Sequence, residues 1–176
     1  MDIRLTLFKT LVQGLPPGRL LDLGTGHGKF AMLAQQLGWD VTAVDARTER
    51  LPKVPAIRWI QEDVRTFTIE RYDCICILGL LYHLEIGDQL ALLKKCAGTR
   101  TIIDTHVALK VTHEEQGYQG TLFAEKLDQP TASWGNVSSF WPTEESLARM
   151  IHDAGFTTVL KLLPPYLKDR TFYVCL

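Results

Sequence analysis

Leu20-Leu21-Asp22-Leu23-Gly24-Thr25-Gly26-His27-Gly28-Lys29-Phe30 is the stretch that decides the fold. Arg19 to Leu23 is a short apolar run that stops at glycine, which predicts a buried strand. Lys29 to Leu37 has helical spacing, with Gly38 placed to end the helix. Between them, Gly24 and Gly26 permit a tight turn around Thr25 and leave no side chain between the backbone and a ligand. Gly28 stands at the helix start, where free amides point outward and can receive polar ligand groups.

The same alternation continues along the chain. Leu5, Phe8, Val12 and Leu15 recur at helical spacing before Pro16-Pro17-Gly18. Asp40 to Val44 and Ile57 to Ile60 predict the second and third strands, and Pro52 and Pro55 between them forbid a long helix. Tyr72 to Leu78 is almost continuously apolar and so predicts a central strand. A helix over Asp88 to Ala97 and a strand over Thr101 to Asp104 follow. Strands alternating with helices predict an α/β fold: a doubly wound, mostly parallel sheet with helices on both faces. Order returns at Thr143, an N-cap with Glu144 and Glu145 in the first turn, in a helix that Gly155 stops. Val159 to Leu163 and Thr171 to Cys175 are the last strands. Residues 107–142 lack clear periodicity, with Gly117, Gly120, Pro130 and Gly135 scattered among aromatics. A segment of that kind predicts an irregular functional lid.

A glycine loop alone also suits dinucleotide dehydrogenases. Their third glycine falls three residues after the second, and that position here is Lys29. The spacing is instead Gly-x-Gly-x-Gly, preceded by Asp22. An acid there suits a cofactor bearing an ammonium group and repels a pyrophosphate. Asp45 ends the second strand at the distance where a ribose-binding acid belongs. Asp63 lies just beyond the third strand, where a carboxylate can accept from an exocyclic amine; Glu62 and Asp73 are rival partners. Three acids at successive strand ends share the sheet's carboxyl edge, where such folds bind ligands.

This ordered set resembles the class I, S-adenosylmethionine-dependent methyltransferase family, with its Rossmann-like sheet. Asp22 to Gly28 is similar to the glycine motif, Asp45 to the ribose acid and Asp63 to the adenine-side acid. Tyr72 to Leu84 is similar to the fourth-strand motif. The resemblance implies S-adenosylmethionine as cofactor, with S-adenosylhomocysteine as product. It implies cofactor contacts from Asp22, Gly24, Thr25, Gly26, Gly28, Asp45, Ala46, Asp63, Val64, Leu78 and Gly79. It also implies that the last two strands form an antiparallel hairpin.

His83 follows the fourth strand, beside the expected place of the transferring methyl. A neutral imidazole there can take a proton from an acceptor; the alternative is that His83 only packs or anchors the next helix. Tyr82, His106 and Trp134 are the expected acceptor-binding residues, since aromatics in a loop can form a pocket. Phe140 and Trp141 read as packing residues, and His113 as a polar surface residue. Asp104 sits where some relatives hold a divalent metal, yet no acid-plus-amide pair accompanies it, so no metal is expected. Pro164-Pro165-Tyr166 resembles part of an amino-methyltransferase motif but stands at the wrong end of the chain.

The 176 residues suit one domain: residues 1–84 as the N-terminal helix and cofactor half, and 107–142 on the acceptor side. With 46% hydrophobic and 22% charged residues, the chain can build a core. Its net charge of −1, with no basic run, excludes a duplex-DNA-tracking face. That leaves a small-molecule acceptor ahead of the wobble-uridine-type tRNA enzymes that the same motifs resemble. A module that binds the cofactor without turnover is the remaining alternative. The oligomeric state has no signal here. Cys74 and Cys76 lie two apart in a strand and so share a face; with Cys96 and Cys175 they read as buried, reduced thiols. The stretch from Met1 to Leu15 is broken by Asp2, Arg4, Lys9 and Gln13 and lacks a signal-peptide core, and Ile75 to Tyr82 is too short for a bilayer. No membrane association and a cytoplasmic setting are the expectations.

Overall fold

The computed structural model describes residues 2–47, 49, 51–52, 54–125, 132–163 and 167–176. Pro130 and the Pro164-Pro165-Tyr166 motif therefore lie outside the described residues. The chain opens with α1 (Ile3–Gln13), capped by the Asp2 side chain, and β1 (Arg19–Leu23). Next come α2 (Lys29–Gln36), β2 (Asp40–Asp45), β3 (Arg58–Gln61) and β4 (Cys74–Leu78). A single 3₁₀ turn, Leu81–His83, leads into α3 (Ile86–Cys96) and β5 (Thr101–His106). After β6 (His113–Glu115), β7 (Tyr118–Ala124) and β8 (Ser138–Pro142) come α4 (Glu144–Asp153), β9 (Val159–Leu162) and β10 (Arg170–Cys175).

The main sheet has seven strands in the order β3-β2-β1-β4-β5-β10-β9. The first five are parallel, while β10 runs antiparallel to both β5 and β9. The order reverses between β1 and β4. Such a reversal opens a crevice at the carboxyl edge of the sheet. Both faces are covered, as two separate apolar cores show. Phe8 and Val12 of α1 pack with Phe30, Ala31 and Ala34 of α2 onto Leu20, Val41, Cys74 and Cys76. Leu92 and Leu93 of α3 pack with Leu147, Met150 and Ile151 of α4 onto Leu21, Leu23, Ile75 and Ile77. Successive residues of β1 and β4 feed opposite cores because side chains alternate along a strand. All four cysteines are buried and free. Thr143 caps α4 by accepting from the Ser146 N–H. Among the described residues no helix is long and apolar enough to cross a membrane.

The segment 107–142, expected to be irregular, instead carries a second sheet, β6-β7-β8, antiparallel throughout. Its hairpin turn is Gln116-Gly117, with φ of 51° and 79°. Positive φ at both central residues is the turn whose twist matches paired strands, and glycine makes it inexpensive at the second position. The strands are short and their exposed face is mixed, so no period-2 pattern announces them. At Gly120 a Cβ would lie 2.2 Å from the Trp141 carbonyl oxygen and 2.6 Å from the Phe140 ring. The glycine therefore lets β7 and β8 close. Gln89, fully buried in α3, donates from Nε2 to the carbonyls of Leu84 (3.0 Å) and Phe140, while the Phe140 N–H donates to Leu84 O at 3.0 Å. These bonds tie the small sheet to the turn that carries His83.

Candidate functional site

A cavity of about 390 Å³ opens at the carboxyl edge of β1, β2 and β4, within the range of ordinary small-molecule sites. The loop after β1 is stitched to β2: the Gly24 and Thr25 N–H groups donate to Val44 O at 2.9 and 3.0 Å. Gly26 lies on the cavity, and a Cβ there would meet nothing within 4 Å. Its N–H donates to Asp45 Oδ2 at 2.8 Å, and Asp45 Oδ1 accepts from the Arg47 N–H at 2.9 Å. A carboxylate offers about four acceptor positions, and among the described residues two of those on Asp45 are taken.

Twelve expected residues border the cavity: Gly24, Thr25, Gly26, Asp45, Ala46, Asp63, Val64, Leu78, Gly79, Tyr82, His83 and Trp134. Asp22, Gly28 and His106 do not. Asp22 is 1% exposed, behind the loop, accepting from the Thr25 hydroxyl at 2.6 Å and from the Ala31 N–H. Burial, reinforced by the charge of Asp45 and only partly offset by those bonds, pushes its carboxyl up to about 7. Gly28 faces packing rather than ligand: a Cβ would lie 2.5 Å from the Trp59 ring. His106 is held on the far side of Tyr82, with Nδ1 3.0 Å from Asp169 Oδ2 and its ring stacked on Trp141 at 4.8 Å.

Asp63 borders the cavity but its carboxylate is engaged. The Arg65 backbone N–H and Nε donate to Oδ1 at 2.9 and 3.0 Å, and Nε and Nη2 donate to Oδ2. Burial would raise Asp63, yet the Arg65 bonds outweigh it and hold the carboxyl below its ordinary value. An adenine amine would have to displace one of these bonds. Arg65 also donates to Trp134 O at 3.0 Å, and Arg47 Nη2 to the carbonyls of Ala132 (2.9 Å) and Ser133 (3.1 Å). Two arginines thereby pull residues 132–134 over the cavity. The sequence placed Trp134 within an expected lid but gave no signal for the two arginines that hold it there.

The floor on the β4 side is cationic. Asp104, 0% exposed, accepts from Arg170 Nε at 2.7 Å and Arg4 Nε at 2.6 Å. Both guanidinium groups lie over Gly79, where a Cβ would be 2.9 Å from Arg4 Nη2. Asp104 is thus an anchor for arginines. Among the described residues no cluster of His, Cys, Asp and Glu could hold a metal ion. Arg4 lines the cavity and had no sequence signal, because its partner is 100 residues away.

His83 packs beside Tyr82, with ring centroids 4.3 Å apart. Burial lowers its imidazole below the ordinary value and the nearby Glu125 only partly restores it, which favours the neutral ring. Asn136 Nδ2 donates to the His83 carbonyl at 3.1 Å.

No curated protein is significantly similar to this chain in sequence. Its structure is similar to the N-terminal domain of EvdMO1 with SAH bound: 23% identity, TM-score 0.81, covering 99% of this chain and 80% of that one. It is also similar to the 1,6-didemethyltoxoflavin-N1-methyltransferase of Burkholderia thailandensis (17%, TM-score 0.69, 98% and 76%). The glycopeptide N-methyltransferase MtfA is a third similar structure (15%, TM-score 0.70, 98% and 86%). At such identities the likeness establishes the fold alone. The family model described as a methyltransferase domain matches residues 2–161, and by that match the chain belongs to the methyltransferase-domain family.

Proposed function

We propose that this protein transfers a methyl group from S-adenosylmethionine to a nucleophilic O, N or C atom of a small-molecule acceptor. The observation that carries this is the convergence of the glycine loop, Asp45 and His83 on one cavity at the switch point of the sheet. The residues present fit the cofactor. Gly26 leaves its side of the cavity open, and Asp45 borders it with a carboxylate that can accept from ribose hydroxyls. Arg4, beside Gly79, supplies a cation for a carboxylate. When bound, the cofactor would supply an electrophilic methyl group on a sulfonium, with the thioether as leaving group. The chain contributes orientation and exclusion of water, with Trp134 and its neighbours as the roof. His83, neutral and partly exposed to the cavity, is the group for an acceptor proton. The similar folds named for 1,6-didemethyltoxoflavin and a glycopeptide support an acceptor of that scale.

Calorimetry tests the cofactor directly. S-adenosylhomocysteine should bind and NAD should not; the reverse preference refutes the proposal. Transfer of labelled methyl from the cofactor to members of a metabolite panel then identifies the acceptor.

A further inference from the structure

Which ring nitrogen of His83 carries the proton depends on the groups that face each of them. Its Nδ1 is buried and makes no closed hydrogen bond among the described residues. The carboxylate that faces it is Glu125, with Oε1 3.5 Å away. Glu125 has itself been drawn in, its side chain only 11% exposed. Its other oxygen, Oε2, is fixed by the Ser133 N–H at 2.9 Å. Asn136, three residues further on, grips the His83 backbone carbonyl, and the Ser133 hydroxyl donates to Asn136 O at 2.8 Å. Residues 125 and 133–136 therefore form a bracket around His83 that begins at the end of β7. A part-buried carboxylate aimed at a buried ring nitrogen costs free energy unless the two act together.

We infer that Glu125 is a positioning residue for His83: it holds the proton on Nδ1 and leaves Nε2 basic and available to the cavity. The inference rests on the proposed methyl transfer and extends it to acceptors whose attacking atom carries a proton at neutral pH, such as a hydroxyl. In that step the acceptor oxygen forms its bond to the methyl carbon as the carbon–sulfur bond breaks and its electron pair stays on sulfur. The hydroxyl proton passes to His83 Nε2. The imidazolium so formed is stabilised by Glu125 at Nδ1, the role a third group plays beside a general base. Tyr82, His106 and Arg170 are the other polar or charged groups near the ring. His106 and Arg170 disfavour the charged ring, and among the described residues Glu125 is the acid that favours it.

Nitrogen-15 spectra of the His83 ring test this without any acceptor. The wild type should show the Nδ1–H form when neutral. Glu125→Gln, which keeps an acceptor oxygen, should retain that form but titrate at lower pH. Glu125→Ala should both titrate at lower pH and move to the Nε2–H form. Binding of S-adenosylhomocysteine should stay within about twofold of wild type in both variants, which shows that they fold. An Nε2–H ring in the wild type, or a ring unchanged in Glu125→Ala, overturns the inference. If S-adenosylhomocysteine binds none of the proteins while the ring behaves as stated, the cofactor proposal fails and the pairing of Glu125 with His83 stands.

Discussion

Replacing Asp22 by Asn should remove a pH dependence of stability that the fold builds into the glycine loop. Asp22 is fully enclosed, and its carboxyl is pushed from an ordinary 3.8 up to about 7, chiefly by burial. An acid raised in this way binds its proton more tightly in the folded than in the unfolded chain. Between the two values the folded state therefore holds more protons, so stability falls as pH rises and becomes flat above 7. The slope is about 1.4 kcal/mol per pH unit, or about 4 kcal/mol across the whole window. Asn has nearly the same shape and no charge. It can still accept from the Ala31 N–H, so any lost contact with Thr25 adds only a constant. The assay is urea unfolding of both proteins at intervals from pH 5 to 8, taking the difference at each pH so that other groups cancel. The variant should gain on the wild type by about 1.4 kcal/mol per unit up to pH 6.5, and the gain should level off above 7. A difference that does not change with pH would refute the reasoning. It would mean that the Thr25 and Ala31 bonds keep Asp22 ionised despite its burial.

Two further outcomes separate ligand contacts from packing in the same loop. Asp45→Ala removes a carboxylate that borders the cavity, and calorimetry should show S-adenosylhomocysteine binding weakened by roughly 1.5–3 kcal/mol; unchanged affinity in a folded variant assigns the ribose elsewhere. Gly28→Ala places a Cβ 2.5 Å from Trp59 at a φ of 70°, so urea unfolding should show a loss of about 2–4 kcal/mol, partly recovered by Trp59→Leu. Equal losses with and without Trp59 would assign the cost to backbone strain and to Pro52, whose Cγ would lie 3.0 Å from the new Cβ.

The strand, loop and helix around Gly24 were readable because each signal is local. The apolar run, the glycine break and the helical spacing all lie within 20 residues, and each reports the conformation of its own stretch. The same holds for the paired face of Cys74 and Cys76 and for Thr143 as an N-cap. The parallel, doubly wound class needed only the alternation of elements, whereas the strand order, with β10 between β5 and β9, came from the structure. The second sheet was not readable, because β6, β7 and β8 are defined by pairing: Gly120 matters through Trp141, 21 residues on, and neither position looks strand-like alone. Side-chain partners are harder still. Asp63 looked like a free acid although Arg65, two residues away, takes up its carboxylate. Arg4 meets Asp104, and Glu125 meets His83, only because the fold closes loops of 100 and 42 residues. Hydrophobic period encodes which face of an element is buried. Which charged group stands opposite another depends on the register and closure of distant segments, and only the tertiary structure decides that.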